Sequence, residues 1–187
     1  EKVTGYEHAN VCPSISRYDF HAYSGGGRMA FGLGLLHGRV EYTPKVAEVV
    51  YNCNLCGACD VSCKYAMDMD VLEPLYAVRQ ECVKQGQTLP AFDKLVTKMK
   101  KQGPMVLGAK GGHKVWHEDL DVADYTMDKV PVVYHAGCLA RHDEGSGMAA
   151  RTSVALLQKA GVKVGIAKDR ELCCGGRAYE MGYLDEA

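Results

Sequence analysis

No apolar run in this chain approaches the ~20 residues that cross a bilayer; the longest candidate, Met29 to Leu36, is short and interrupted by glycine. These residues are therefore expected to dock on a membrane partner at most, not to span a membrane. Neither sign of charge is in excess, with 22 Lys and Arg against 23 Asp and Glu and a net charge of -1. Such a balance gives no footing for nucleic-acid binding. There is no repeat of fixed period and no low-complexity tract. The G-x-G-x-x-G and P-loop patterns are absent, so Gly25-Gly26-Gly27 reads as a tight turn before a helix rather than a phosphate cradle. What is present is core-forming residues, 47% hydrophobic over 187 positions, enough for one large or two small domains.

Nine cysteines are many for this length, and they cluster. Clustering predicts metal ligation in a reducing cytoplasm rather than a secreted disulfide scaffold. Cys53, Cys56, Cys59 and Cys63 follow the spacing C-x2-C-x2-C-x3-C. That run wraps a cubane [4Fe–4S] cluster in bacterial ferredoxins, because thiolates on one short loop reach several corners of a small cube. A structural zinc site usually takes its ligands as two separated pairs. Thiols this closely spaced would form only strained disulfides. Radical-SAM spacing, C-x3-C-x2-C, fails because Ala66 stands where its third cysteine would be.

In two-cluster ferredoxins the fourth cysteine of such a run ligates the other cluster, and a further cysteine followed by proline completes the first. Cys12-Pro13 is the one candidate here. By that analogy Cys12, Cys53, Cys56 and Cys59 hold one cluster, and Cys63 serves a second whose other ligands lie upstream of Glu1. The competing arrangement places all four run cysteines on one cluster and leaves Cys12 as a core thiol. Lys64 either stands beside a cluster or is a solvated surface lysine.

Patterning gives mostly helices up to about residue 102. Helices are predicted from Arg28 to His37, from Thr43-Pro44 with Thr as N-cap, from Leu72 to Gln85 with Gly86 as its stop, and from Pro90 to Lys101. Residues 103–129 lack a period and read as a surface-wrapping linker. Val130–His135 reads as a buried strand, Met148–Ala160 as an amphipathic helix and Val162–Ala167 as a second strand. Strand, helix and strand with short connections predict a βαβ unit with a parallel sheet. Cys138 follows the first strand and Cys173-Cys174-Gly175-Gly176 the second, so both cysteine groups would face one crevice at the strands' carboxyl ends. Both ends read as interior to a longer chain: Glu1 is not Met, and residues 182–187 read as mid-helix with no stop signal.

Residues 133–145 and Glu171-Leu172-Cys173-Cys174-Gly175-Gly176 resemble the first two parts of the CCG domain found in the B component of heterodisulfide reductase and its relatives. That domain continues to a C-x-x-C absent here. Cys12-Pro13-Ser14, Tyr23–Met29 and Tyr51–Asp60 resemble the ferredoxin domain of the C component, fused ahead of it. The order matches the fused heterodisulfide-reductase-like proteins, which include the D component of heterodisulfide reductase, the K component of the sulfite-reduction membrane complex and the D component of the class II benzoyl-CoA reductase complex. The stretch Cys63–Leu75 is most similar to the benzoyl-CoA reductase type.

The resemblance implies an α+β fold: a mainly helical two-cluster ferredoxin-like module over 1–102, a linker over 103–129, and the first part of an α/β CCG domain over 130–187. It implies a noncubane [4Fe–4S] cluster using Cys138, Cys173 and Cys174, with a degenerate domain that holds no cluster as the competing account of the absent C-x-x-C. It also implies an electron-transfer subunit in an anaerobic cytoplasm, at the inner face of the membrane through its partners. Those partners would be a flavin-bearing subunit resembling heterodisulfide reductase A or a membrane cytochrome b. Rival readings are a disulfide reductase acting at the noncubane cluster, a quinone-linked membrane-complex subunit, and a zinc-stabilised scaffold. Cys82 reads as a packed core thiol. His113 and His117 are spaced for a shared metal on a helix, which their glycine flanks disfavour. His135 and His142 flank Cys138 and read first as packed or solvated histidines.

Overall fold

Helix starts follow their capping chemistry in the computed structural model, which describes residues 11–102 and 116–187. Pro13 opens α1 (Pro13–Tyr18) directly after an extended Cys12. Ser24 caps α2 (Gly25–Leu36), its hydroxyl accepting from the Gly27 N–H at 2.9 Å. The three glycines thus lie inside the helix rather than in a turn before it. Thr43 caps α3 (Pro44–Tyr51) by accepting from the Val46 N–H, with proline at the position whose N–H would have no partner. Helix α4 (Ala58–Met67) lends a side chain to the start of α5 (Leu72–Lys84). Asp60 Oδ1 accepts from the Val71 N–H at 2.6 Å and the Leu72 N–H at 2.8 Å. The bonds from Leu72 and Val71 hold the Asp60 carboxyl below its ordinary range. Helix α6 (Pro90–Gln102) follows.

The described residues fall into two packing units, one of those up to Val96 together with Gly175–Ala187, the other of Thr97–Cys174. The first unit buries Leu35, Val46, Ala47, Val50, Tyr51 and Cys82, with Phe31, Val78 and Phe92 packed against them. Each large apolar side chain removed from water there contributes roughly 1.5–3 kcal/mol. Cys82 is fully buried, as the sequence pattern predicts, and burial pushes its thiol up to about 11.

The chain's last residues rejoin this first unit. Arg79 donates to the Glu180 carbonyl at 2.7 Å, Tyr51 OH to the Met181 carbonyl at 3.2 Å, and Tyr183 OH to the Asp93 carboxylate. A side chain at Gly182 would bring a Cβ within 2.4 Å of the Arg79 carbonyl oxygen, and its φ of +93° suits glycine. Residues 182–187 are therefore not mid-helix. Helix α8 (Gly176–Glu180) ends before Gly182, and a single 3₁₀ turn, Leu184–Glu186, follows.

The second unit holds a three-stranded parallel sheet of β1 (Ala123–Asp124), β2 (Val132–Val133) and β3 (Val164–Ile166), in the order β1-β3-β2. Ala123 pairs with Gly165, and Val132 with Val164. Helix α7 (Glu144–Lys159) crosses from β2 to β3, capped by Asp143, which accepts from the Ser146 N–H. The fold is α+β and mainly helical, as the sequence predicts. Within the second unit the details differ in three places. Strand β2 is an exposed edge, with Val132 and Val133 39% and 51% accessible, not a buried strand. Helix α7 begins four residues before Met148 because Asp143 is its cap. The described part of the predicted linker, 116–129, supplies β1 and places Trp116 and Val122 in a core with Ala140, Ala150, Val154 and Ile166.

Candidate functional site

Cys12, Cys53, Cys56 and Cys59 line one pocket in the first unit, together with Gly25 and Arg28. Cys12 sits at the start of α1, where proline fixes the next φ and leaves the cysteine extended. Cys53 follows the end of α3, Cys56 lies in the turn, and Cys59 is in the first turn of α4. The turn uses left-handed backbone at Leu55 (φ 52°) and at Gly57 (φ 74°). Leucine rarely adopts that conformation, and holding it costs about 1–3 kcal/mol. In return the Leu55 N–H donates to Cys53 Sγ at 3.4 Å. A Cβ at Gly25 would stand 2.7 Å from Cys59 Cβ and 2.8 Å from its Sγ, so only glycine fits against that cysteine. Burial first, and Cys53 second, push the Cys59 thiol above its ordinary range.

Two buried guanidiniums brace this loop. Arg28 is 2% accessible; its Nε donates to the Val49 carbonyl and an Nη to Ser14 Oγ, both at 2.9 Å, and its other Nη donates to the Tyr23 carbonyl. Ser14 Oγ in turn donates to the Asn52 carbonyl, just before Cys53. Arg79 is 5% accessible, donates to the Cys53 carbonyl, and lies 5.2 Å from the centre of the Tyr51 ring. Burial pulls the Arg79 pKa below its usual range, against the opposing pull of the Cys53 thiol.

Cys63 does not line the pocket. It sits in α4, none of whose residues is buried, and Val61, Tyr65 and Met67 around it are exposed. Lys64 pairs with Asp70 on the surface, both side chains more than half accessible, which matches a solvated lysine.

The four pocket thiols are soft donors of the kind that hold iron–sulfur clusters, and an N–H aimed at sulfur is what a thiolate-held cluster uses to adjust its potential. Among the described residues no three His, Cys, Asp or Glu side chains stand close enough to hold a single ion. A tetrahedral zinc would draw its sulfurs to ~2.3 Å from one centre, whereas a four-iron cube takes each thiolate at a separate corner. Four thiols on one pocket are the donor set that a thiolate-held cluster requires.

In the second unit Cys138 opens a 3₁₀ turn, Cys138–Arg141, just beyond β2. Cys173 and Cys174 lie on the loop beyond β3, after the turn Lys168–Arg170. The two strands are parallel neighbours, so both loops leave the sheet at the strands' carboxyl ends. A buried carboxylate latches them together. Glu171 accepts from the Gly137 N–H at 2.6 Å and the Ala136 N–H at 3.3 Å, and His135 Nδ1 lies 3.7 Å away. Arg141 adds a bond to the Lys168 carbonyl at 2.6 Å. Cys174 is exposed; Cys138 and Cys173 are partly buried. His117 packs against the Trp116 ring, and His142 closes the Cys138 turn. His113 lies outside the described residues, so the His113–His117 pair has no described geometry.

Sequence reasoning missed Gly25, Arg28, Arg79 and Glu171. Arg28 had a signal, a lone cation opening an otherwise apolar helix, and Glu171 another, its place beside Cys173. Arg79 looked like any charged residue on an amphipathic helix.

Residues 132–187 match the family described as CCG, cysteine-rich domain. Over 157 residues, 80% of this chain, the sequence is 28% identical to the D component of the dihydromethanophenazine:CoB–CoM heterodisulfide reductase of Methanosarcina barkeri (strain Fusaro / DSM 804). The matched region spans 36% of that relative's length. No solved structure matches. Among the described residues no helix is long and apolar enough to cross a membrane. The chain is thus similar to a heterodisulfide reductase component over most of its length, and its residues 132–187 match the cysteine-rich CCG domain.

Proposed function

We propose that this chain relays electrons inside a larger heterodisulfide-reductase-like complex of an anaerobic cytoplasm. In this reading residues 1–102 form the ferredoxin-like module, 103–129 connect, and 130–187 form the first part of the CCG domain. Cys12, Cys53, Cys56 and Cys59 hold one [4Fe–4S] cluster. Cys63 serves a second with ligands from outside this sequence, and Cys138, Cys173 and Cys174 contribute to a cluster at the CCG site.

The observation that carries the reading is the convergence of Cys12 with Cys53, Cys56 and Cys59 on one pocket. A cluster bound there supplies a one-electron carrier. The chain's own residues do the rest: Gly25 lets α2 press against Cys59, the Leu55 N–H meets Cys53 Sγ, and the two arginines fix the loop from behind. A flavin-bearing subunit or a membrane cytochrome b would exchange electrons with it.

A second reading, disulfide reduction at the CCG site, is favoured by the exposure of Cys174, which leaves that loop open to a substrate. The named relative belongs to a heterodisulfide reductase. Anaerobic reconstitution with iron and sulfide tests the first reading. A brown protein with iron and acid-labile sulfide supports it, and a colourless zinc protein rejects it. Oxidation of the reduced protein by an added heterodisulfide would favour the second reading; no oxidation leaves relay alone.

A further inference from the structure

A guanidinium removed from water needs an anion, because neutral acceptors satisfy its hydrogens without cancelling its charge. Arg28 and Arg79 are both almost wholly buried. Neither forms an ion pair with a carboxylate among the described residues. Arg28 donates to the carbonyls of Val49 and Tyr23 and to the Ser14 hydroxyl, and Arg79 to the carbonyls of Glu180 and Cys53. Arg79 Nε meets no acceptor among the described residues. Both converge on the same loop: Arg28 lines the cysteine pocket, and Arg79 holds the carbonyl of one of its cysteines.

The anion this arrangement lacks is the set of thiolates that a metal cluster would hold deprotonated in that pocket. We propose that Arg28 and Arg79 are positioning cations whose countercharge is the thiolate-ligated cluster of Cys12, Cys53, Cys56 and Cys59. The inference rests on the reading that this pocket holds a cluster. Four thiolates leave such a cluster anionic, and reduction adds a further negative charge. Two fixed cations behind the loop therefore favour the reduced form and slow the release of iron. Arginine suits the task because its rigid fork reaches α1, the turn before α2 and α3 at once, which a lysine point charge cannot do.

The test compares wild type, Arg28→Gln, Arg28→Lys and Arg79→Gln, each in iron-free and anaerobically reconstituted form. Three quantities are read: thermal midpoint, cluster reduction potential, and the rate of iron loss to a chelator. Expected results for Arg28→Gln are a lower potential, iron loss faster by about tenfold or more, and a larger drop in thermal midpoint with the cluster than without it. Arg28→Lys keeps most of the wild-type potential because it keeps the charge. Arg79→Gln shifts potential and retention in the same direction, and it carries the test if Arg28→Gln fails to fold.

Equal destabilisation of the iron-free and loaded forms, with the potential unmoved, would reduce both arginines to hydrogen-bonding braces and overturn the inference. The reading of the pocket would then survive. Failure of the wild type to take up iron and sulfide overturns both.

Discussion

The two cysteine groups are built on opposite electrostatics. The first unit gathers its thiols around a loop braced by two buried guanidiniums, with glycine pressed against Cys59. The second places its thiols on two loops latched by one buried carboxylate, Glu171, which accepts from two backbone N–H groups. Cations near an anionic cluster raise its potential, and a carboxylate opposes reduction. The comparison teaches that each group joins a sequence-local set of cysteines to one from farther back in the chain, and that the buried charge beside it differs in sign, arginine in the first unit and glutamate in the second. In a relay, such a contrast would give the two sites different potentials along one chain.

The largest expected effect comes from removing a thiol. Cys59→Ala abolishes iron in the first pocket and leaves the CCG site's iron content unchanged, as EPR of the reduced protein would register. Loss of both together would break the comparison by making the sites interdependent. Gly25→Ala follows. Its new Cβ collides with Cys59, so overpacking is expected to cost about 1–3 kcal/mol and to displace the first cluster, both read by thermal melts and iron analysis. An unchanged variant would show that α2 yields easily there. For the second unit, Glu171→Ala strips the latch from two N–H groups and is expected to cost about 1–3 kcal/mol. Its sharper readout is the CCG site alone, since the first pocket's spectrum should not move.

The smallest effect concerns Cys82. Burial raises its folded pKa to about 11, above the ordinary thiol value of ~8.5. Between those values the unfolded chain gives up its proton while the folded one keeps it, so stability falls as pH rises through that window. The buried thiol also resists alkylation at neutral pH in the iron-free folded protein, whereas the exposed Cys56 reacts. Mass-spectrometric mapping of labelled thiols checks this, and labelling of Cys82 on a par with Cys56 would contradict it.

Much of this was legible beforehand because it rests on local chemistry. Thr43-Pro44 announces α3 through cap and fixed φ, and the order strand, helix, strand announces the parallel pair of β2 and β3. Cys12-Pro13 and the cysteine run pointed to the residues that share the first pocket. The remainder depends on long-range packing. Strand β1 is two residues long and owes its existence to pairing with β3, which no local period records. Helix α8 and the turn after it are placed by Tyr51, Arg79 and Asp93, all distant in sequence. Gly25 looked like turn punctuation because its real constraint, Cys59, lies in another helix. Arg28 and Arg79 acquire meaning only once both are seen buried behind the same loop.

The claim that Cys12 joins Cys53, Cys56 and Cys59, leaving Cys63 to a separate site, is tested most directly by iron and acid-labile sulfide per chain in anaerobically reconstituted wild type, Cys12→Ala and Cys63→Ala. The account predicts that Cys12→Ala loses the first pocket's cluster while Cys63→Ala keeps it. Full retention in Cys12→Ala, with the loss falling on Cys63→Ala instead, would contradict it.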